Sequence, residues 1–277
     1  NVAASVSGAA NSFVFRNDPV AAGLTVGAVD GVTGITTANG NVTLAADSLN
    51  IANSIAAAGA RVKLQPSSAG LFNIDLGTET VGKLSLTDAE LDRITASVLE
   101  IDPAGAIDVS AAITLAPASV PTLSLVNDGS IGGAGSISAQ NLRITSTGPV
   151  TLNGDVDTLA ASYAGVFTPF QFTDSDGLTI GTVDSVAGIT SAGGDVILST
   201  GGQLVIGTGL GQDINVAGAA SIVTLNVASG GATEAAGSSI IAPVLTLRGN
   251  GDFLLDDAGN DLIVIAGLVN STVNFTD

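Results

Sequence analysis

Any chemistry in this chain has to come from carboxylates. It carries 25 Asp and Glu against seven Lys and Arg, with no His and no Cys. Three acid pairs stand out: Asp155 with Asp157 in "NGDVD", Asp174 with Asp176 in "FTDSDG", and Asp256 with Asp257 in "LLDDAGND". Two carboxylates on one face of a sheet are the machinery of glycoside cleavage, one as acid and one as base or nucleophile. Asp and Asn in loops are also hard oxygen ligands, which makes Asp174, Asp176, Asp256, Asp257 and Asp261 the calcium candidates. Against both readings, Asp beside Gly is ordinary turn chemistry. The group that titrates near neutral pH is missing with His, and cations to hold an acidic sugar are scarce. The EF-hand loop and the Gly-Asp nonapeptide roll are absent. The expectation is therefore no enzyme, no cofactor and no built metal site, with calcium the one cofactor left open. No Gly-rich stretch is a phosphate loop, since "GGAGSIS" (132–138) and "GTGLGQD" (207–213) lack the following Lys.

The Phe residues offer binding chemistry instead. Phe13 and Phe15 are two apart, as are Phe170 and Phe172, and Phe167 and Phe275 stand in similar text. A spacing of two puts both rings on one face of a strand. They form either an aromatic platform for sugars or a stacked ladder inside the fold. Asn41, Asn270 and Asn274 open N-glycosylation patterns, which carry little weight if the source is bacterial.

Elements that could position these residues are strands and turns. Val, Ile, Leu and Ala make the hydrophobic 45%, aromatics are 3% and Trp is absent. A core of that recipe is narrow and uniform. Val, Ile and Thr runs alternate with Ser, Asn and Asp, and NG, GG, DG and AG pairs punctuate them, the marks of half-buried strands joined by tight turns. The stretch "LTDAELDRI" (86–94) is the one good helical candidate, with Thr87 and Glu90 in capping-box spacing, and it reads as a corner or a small protrusion.

The chain also repeats itself. Residues 23–44, "GLTVGAVDGVTGITTANGNVTL", return at 177–198 as "GLTIGTVDSVAGITSAGGDVIL", with 14 of 22 positions identical and no gap. Segments 2–18, 159–174 and 264–277 read as three versions of one lead-in element. The organisation expected is 1–22 as the end of a preceding unit, 23–176 as unit one and 177–277 as a shorter unit two without a counterpart of 84–101. No linker divides them. Without an initiator Met or signal peptide, the chain reads as a mature fragment or an internal piece of something longer.

Two folds satisfy this pattern. A tandem of β-sandwiches normally needs a bulky plug such as a buried Trp. An all-β, right-handed parallel β-helix with aligned aliphatic rows suits the composition better. At ~22 residues per coil it predicts roughly 12 coils and about 60 Å of length.

"GLTIGTVDSVAGITSAGGDVIL" (177–198), "LSLTDAELDRITASVLEI" (84–101) and "DDAGNDL" (256–262) together resemble the repeats of filamentous-haemagglutinin-like giant bacterial exoproteins exported by two-partner secretion. The resemblance covers nearly the whole chain. It implies a right-handed parallel β-helix, a secreted or cell-surface location, and a part in adhesion, biofilm or filament formation. The secretion-domain signature "NPNG" is absent, so the chain would be an internal shaft segment, and no binding residue carries over.

Charge and hydropathy limit the partners. The net charge is −18, which argues against nucleic acid and anionic membrane surfaces, both bound by Lys and Arg. The longest apolar run, 262–269, is too short to span a bilayer. Self-association, end to end or side by side, and host or environmental glycans remain the expected partners. Polysaccharide binding or cleavage by a β-helix is the alternative function.

Overall fold

The computed structural model describes residues 1–17, 23–68 and 72–277. The end of the lead-in element at Asp18 and the boundary expected at residue 22 touch the stretch outside that description. The chain forms two compact units, Asn1–Gln140 and Asn141–Asp277. The repeat boundary at 176/177 falls inside the second.

Both units are built almost wholly of strands in mostly parallel sheets. Among the described residues the antiparallel pairs are two hairpins, Ala28–Val29 with Val32–Thr33 and Thr182–Val183 with Val186–Ala187. A tandem of β-sandwiches would pair its strands antiparallel, so that alternative is set aside.

In the first unit, Phe13–Arg16 pairs with Val42–Ala45, which pairs with residues 62–65. Residues 98–101 follow, then 123–125. The inward row is Phe15, Leu44, Leu64, Ile101 and Leu125, and its last four members are fully buried. The outward row between them carries Thr43, Lys63, Glu100 and Ser124. Strand order departs from chain order at one place. Ile74–Leu76 pairs with Leu84–Leu86 on one side and with Ile107–Val109 on the other.

A short helix covers the strand Leu49–Ile51. Asp88–Leu91 is helical, as the capping-box spacing predicts. One Glu90 carboxylate oxygen accepts the Thr87 N–H at 2.9 Å and its hydroxyl at 2.8 Å. The other accepts the Ile51 N–H at 2.9 Å, while Arg93 donates to the Ile51 carbonyl at 3.0 Å. Two side chains thus satisfy the backbone of Ile51 where a further strand would otherwise do so. The element is a corner.

The second unit has three columns of paired strands. The first runs from 150–154 through Phe170–Asp174, Val196–Thr200, 223–227 and 245–249 to 265–269. Another starts at Leu178–Ile180 and runs through Leu204–Ile206, Ala232–Glu234 and Phe253–Leu255 to Val273–Phe275. Paired residues lie 20 to 28 positions apart along these columns, as in Leu245 with Ile265 and Leu204 with Ala232.

The sequence repeat is a structural repeat. Strands at 24–26, 28–29, 32–33 and 35–37 recur at 178–180, 182–183, 186–187 and 189–191. Each copy turns its hairpin on two residues with positive φ, Asp30 and Gly31 (48° and 80°) or Asp184 and Ser185 (46° and 69°). That is the geometry of a type I′ turn, whose twist matches the strands it joins. Gly34 and Gly188 follow with φ of 69° and 67°. A Cβ at Gly188 would stand 2.2 Å from the Asp213 carbonyl oxygen, so only glycine fits.

The lead-in element is half correct. Ala4–Val6 and Phe13–Arg16 match 161–163 and 170–173 at an offset of 157, including positive φ at both Ala10 and Phe167 (59° and 60°). Residues 264–277 do not belong with them. Phe275 stacks on Leu255, in the column begun by Leu178–Ile180, not in the column of Phe170 and Phe172. "NFT" and "QFT" look alike because any inward apolar residue beside a polar one satisfies a period of two.

Candidate functional site

Asp174 closes the strand Phe170–Asp174, and Asp155 lies in the strand Val150–Tyr163 paired beside it. Asp176 lies two residues past the strand end. Carboxylate oxygens of all three lie within 4.8 Å of one another. Sequence spacing linked Asp174 to Asp176 and Asp155 to Asp157. Parallel pairing instead sets Gly154 opposite Asp174, which brings Asp155 to the turn and leaves Asp157 out.

Asp174 is 2% exposed. Its two oxygens accept the Val156 N–H at 3.0 Å and the Asp176 N–H at 3.1 Å. Burial pushes its carboxyl up to about 7, against the pull of those N–H groups, and the Asp176 charge adds to the rise. Asp155 and Asp176 are exposed. These three residues are the ones that could hold a divalent cation, since hard cations take clustered carboxylate oxygens. A carboxyl near 7 is also tuned for proton transfer. Its oxygens, however, point at backbone N–H groups of its own turn.

A shallow groove of ≈ 380 Å³ runs beside this turn. The outward row Thr173, Ser199, Asn226 and Arg248 lines it, together with Asp174. Asn226 donates to the Ser199 hydroxyl at 3.2 Å, and Arg248 is exposed. The arrangement offers hydroxyl, amide and guanidinium groups along one polar ladder.

The other candidate acids do not gather. Asp257 accepts the Gly237 N–H at 2.7 Å and the Gly259 N–H at 2.9 Å, and these bonds hold its carboxyl below the usual range. Asp256 accepts a long bond from Asn274, 3.4 Å, and Asp261 is exposed on a strand. Among the described residues the three acids near Asp174 are the only such cluster.

Glu234 escaped the sequence reading. It occupies the inward row beside Ile206. One oxygen accepts the Asn260 amide at 3.0 Å and the Asp257 N–H at 3.2 Å. The other is buried with no hydrogen-bond partner among the described residues. Burial pushes its carboxyl up to about 7, opposed by Asn260, with the charges of Asp257 and Asp256 adding to the rise. The signal available in advance was a Glu at an apolar position of the alternating run "GATEAAG".

Phe170 and Phe172 are fully buried. They stack on Val150 and Val196, and on Leu152 and Leu198. They are core, neither a sugar platform nor an aromatic ladder. Their one aromatic contact is Tyr163 to Phe170, centroids 5.9 Å apart. Phe167 differs from both, standing 96% exposed on its left-handed turn beside a groove of ≈ 760 Å³.

Comparison of the chain with protein-family models, with curated proteins and with solved structures finds no match. The geometry above is therefore the basis for function.

Proposed function

We propose that this chain is a length of right-handed parallel β-helix, serving as a structural and adhesive segment of a secreted bacterial stalk or extracellular filament. The observation that carries the reading is the continuity of the inward rows. Leu198, Leu225 and Leu247 lie opposite one another in successive parallel strands, as do Val196, Val223, Leu245 and Ile265. Such rows arise when each winding of a chain lies on the last, and parallel crossovers are right-handed in nearly all proteins. Each winding adds a set of backbone hydrogen bonds, so length and stiffness come at constant cost per winding. A shaft needs nothing more. The exposed Thr, Ser and Asn rows are its contact surface for cells, matrix or glycans, and the resemblance to filamentous-haemagglutinin-like exoproteins points the same way. Diffraction from oriented material tests this. An axial repeat of about 4.8 Å supports it, and a dominant equatorial spacing of that size, as antiparallel sandwich strands would give, sinks it.

A second reading, polysaccharide binding or cleavage, draws on the groove that holds Asp174 and Arg248 side by side. It requires glycan binding or turnover that Arg248→Ala and Asp174→Asn abolish. A flat response across a panel of neutral and acidic glycans removes it.

A further inference from the structure

The strand Asp261–Val269 is an unusual sheet edge. It pairs on one side with Ile240–Gly249, and no described residue pairs with its other side. Sheet edges are normally guarded by Lys, Pro, bulges or shortness. This one is nine residues long, "DLIVIAGLV", with neither Lys nor Pro. Ile265 continues a row whose previous member, Leu245, is fully buried, yet it is 43% exposed, and Ile263 and Leu268 are 80% and 81% exposed. At the other extreme of the sequence, Phe13–Arg16 also pairs on one side only, with Val42–Ala45, and Val14 is 70% exposed.

The repeat tells what an edge like Phe13–Arg16 accepts. Its counterpart in the second unit is Phe170–Asp174. There the matching side is covered by a parallel apolar strand, Val150 opposite Phe170 and Leu152 opposite Phe172, and both rings are fully buried. The column continuing from Phe170–Asp174 ends at residues 265–269. The last strand of that column is thus related by the repeat to the strand missing below Phe13.

We propose that copies of this chain join head to tail by parallel strand addition, residues 262–275 of one copy beneath residues 2–16 of the next. The repeat sets the register. Ile265 falls opposite Phe13, Gly267 opposite Phe15 and Leu262 opposite Val6, while Phe275 falls opposite Val2, which already bridges Val26 on its other side. Every inward position then meets an apolar or glycine position. Gly267, without a side chain, leaves room for the Phe15 ring. Both copies carry a charge of −18, so added salt, by screening that repulsion, strengthens the contact. The inference rests on the β-helix reading, since only a shaft of stacked windings has two matching ends.

The chain has no Cys, which makes the register directly testable. Val14→Cys and Ala266→Cys would stand opposite each other across the joint, at a strand spacing a disulfide can bridge. In the full chain at high salt, oxidation of the double variant should give a ladder of oligomers on a non-reducing gel. A mixture of the two single variants should stop at dimers. Moving the second cysteine to Ile263→Cys should lose the ladder, and Ile265→Lys in the otherwise native chain should abolish sedimentation above monomer. A cysteine-shifted ladder as strong as the first overturns the proposal, because it reports unspecific edge aggregation. So does a monomer at all salt concentrations. If such a monomer still gives an axial repeat of about 4.8 Å when oriented, head-to-tail joining fails alone. Loss of that repeat takes the β-helix with it.

Discussion

Asn41, Asn73, Asp195, Asp213, Asp252 and Asn260 each aim a side-chain oxygen at a backbone N–H lying 20 to 33 residues away. Each replaces a missing carbonyl where a strand gives way to a turn, and so satisfies a donor that burial would otherwise penalise. Asn41 and Asp195 are the same position in the two copies of the repeat, which ties the role to the architecture. Much of the acid in this chain is therefore turn chemistry. Replacing Asp195 by Ala should lower stability by about 1–3 kcal/mol, and by Asn much less, as urea midpoints would report. Asp174 and Glu234 carry a pH prediction. Their carboxyls stand near 7 in the fold, above the ordinary 3.8 and 4.5, so the folded state holds their protons more tightly than the unfolded chain. Their stabilisation is complete below about pH 4 and is lost as pH rises through about 7. Asp257, held low, acts in the opposite sense and loses its contribution in acid. The melting temperature should fall between about pH 5 and about pH 8, and the fall should shrink in Asp174→Asn and Glu234→Gln. A melting temperature that is flat or rises over that range in the native chain contradicts the assignment.

At the level of elements, the two hairpins and the helical corner are the departures from parallel pairing, and each has a local cause. The hairpin ends on a glycine that cannot be replaced for two reasons, φ and space. Gly31 shares only the first, since nothing lies within 4 Å of a Cβ there, whereas at Gly188 that Cβ meets the Asp213 carbonyl at 2.2 Å. Gly188→Ala should therefore destabilise well beyond Gly31→Ala, whose cost is the φ strain alone, about 1–2 kcal/mol. Comparable denaturation midpoints for the two would show that backbone strain, not close approach, governs the site. The corner depends on Glu90, which is 6% exposed and accepts from both Thr87 and Ile51. Glu90→Ala leaves the Ile51 N–H without its acceptor and should cost about 2–3 kcal/mol, with Glu90→Gln recovering much of it. Hydrogen exchange at Ile51 reads that bond directly, and unchanged protection in the Ala variant would remove Glu90 from the role.

For the molecule as a whole, charge and edge chemistry oppose one another. A charge of −18 keeps copies apart, while the unguarded strand Asp261–Val269 draws them together. Ionic strength sets the balance, so light scattering should rise with salt and fall again in Ile265→Lys. From the sequence by itself came the strand content, the turn positions, the capping-box corner and a repeat whose strand bounds recur residue for residue. These are local, because alternation and turn residues report which face a side chain takes within its own strand. Which strand lies beside which was decided only by the tertiary structure. That decision joined Asp155 to Asp174 and Asp176, moved Phe275 into the column of Leu255, and set Glu234 in an apolar row. A period of two is satisfied equally in every column of a parallel sheet, so a single chain's text carries no label for its neighbour, and the site made by neighbours becomes legible only once they are in place.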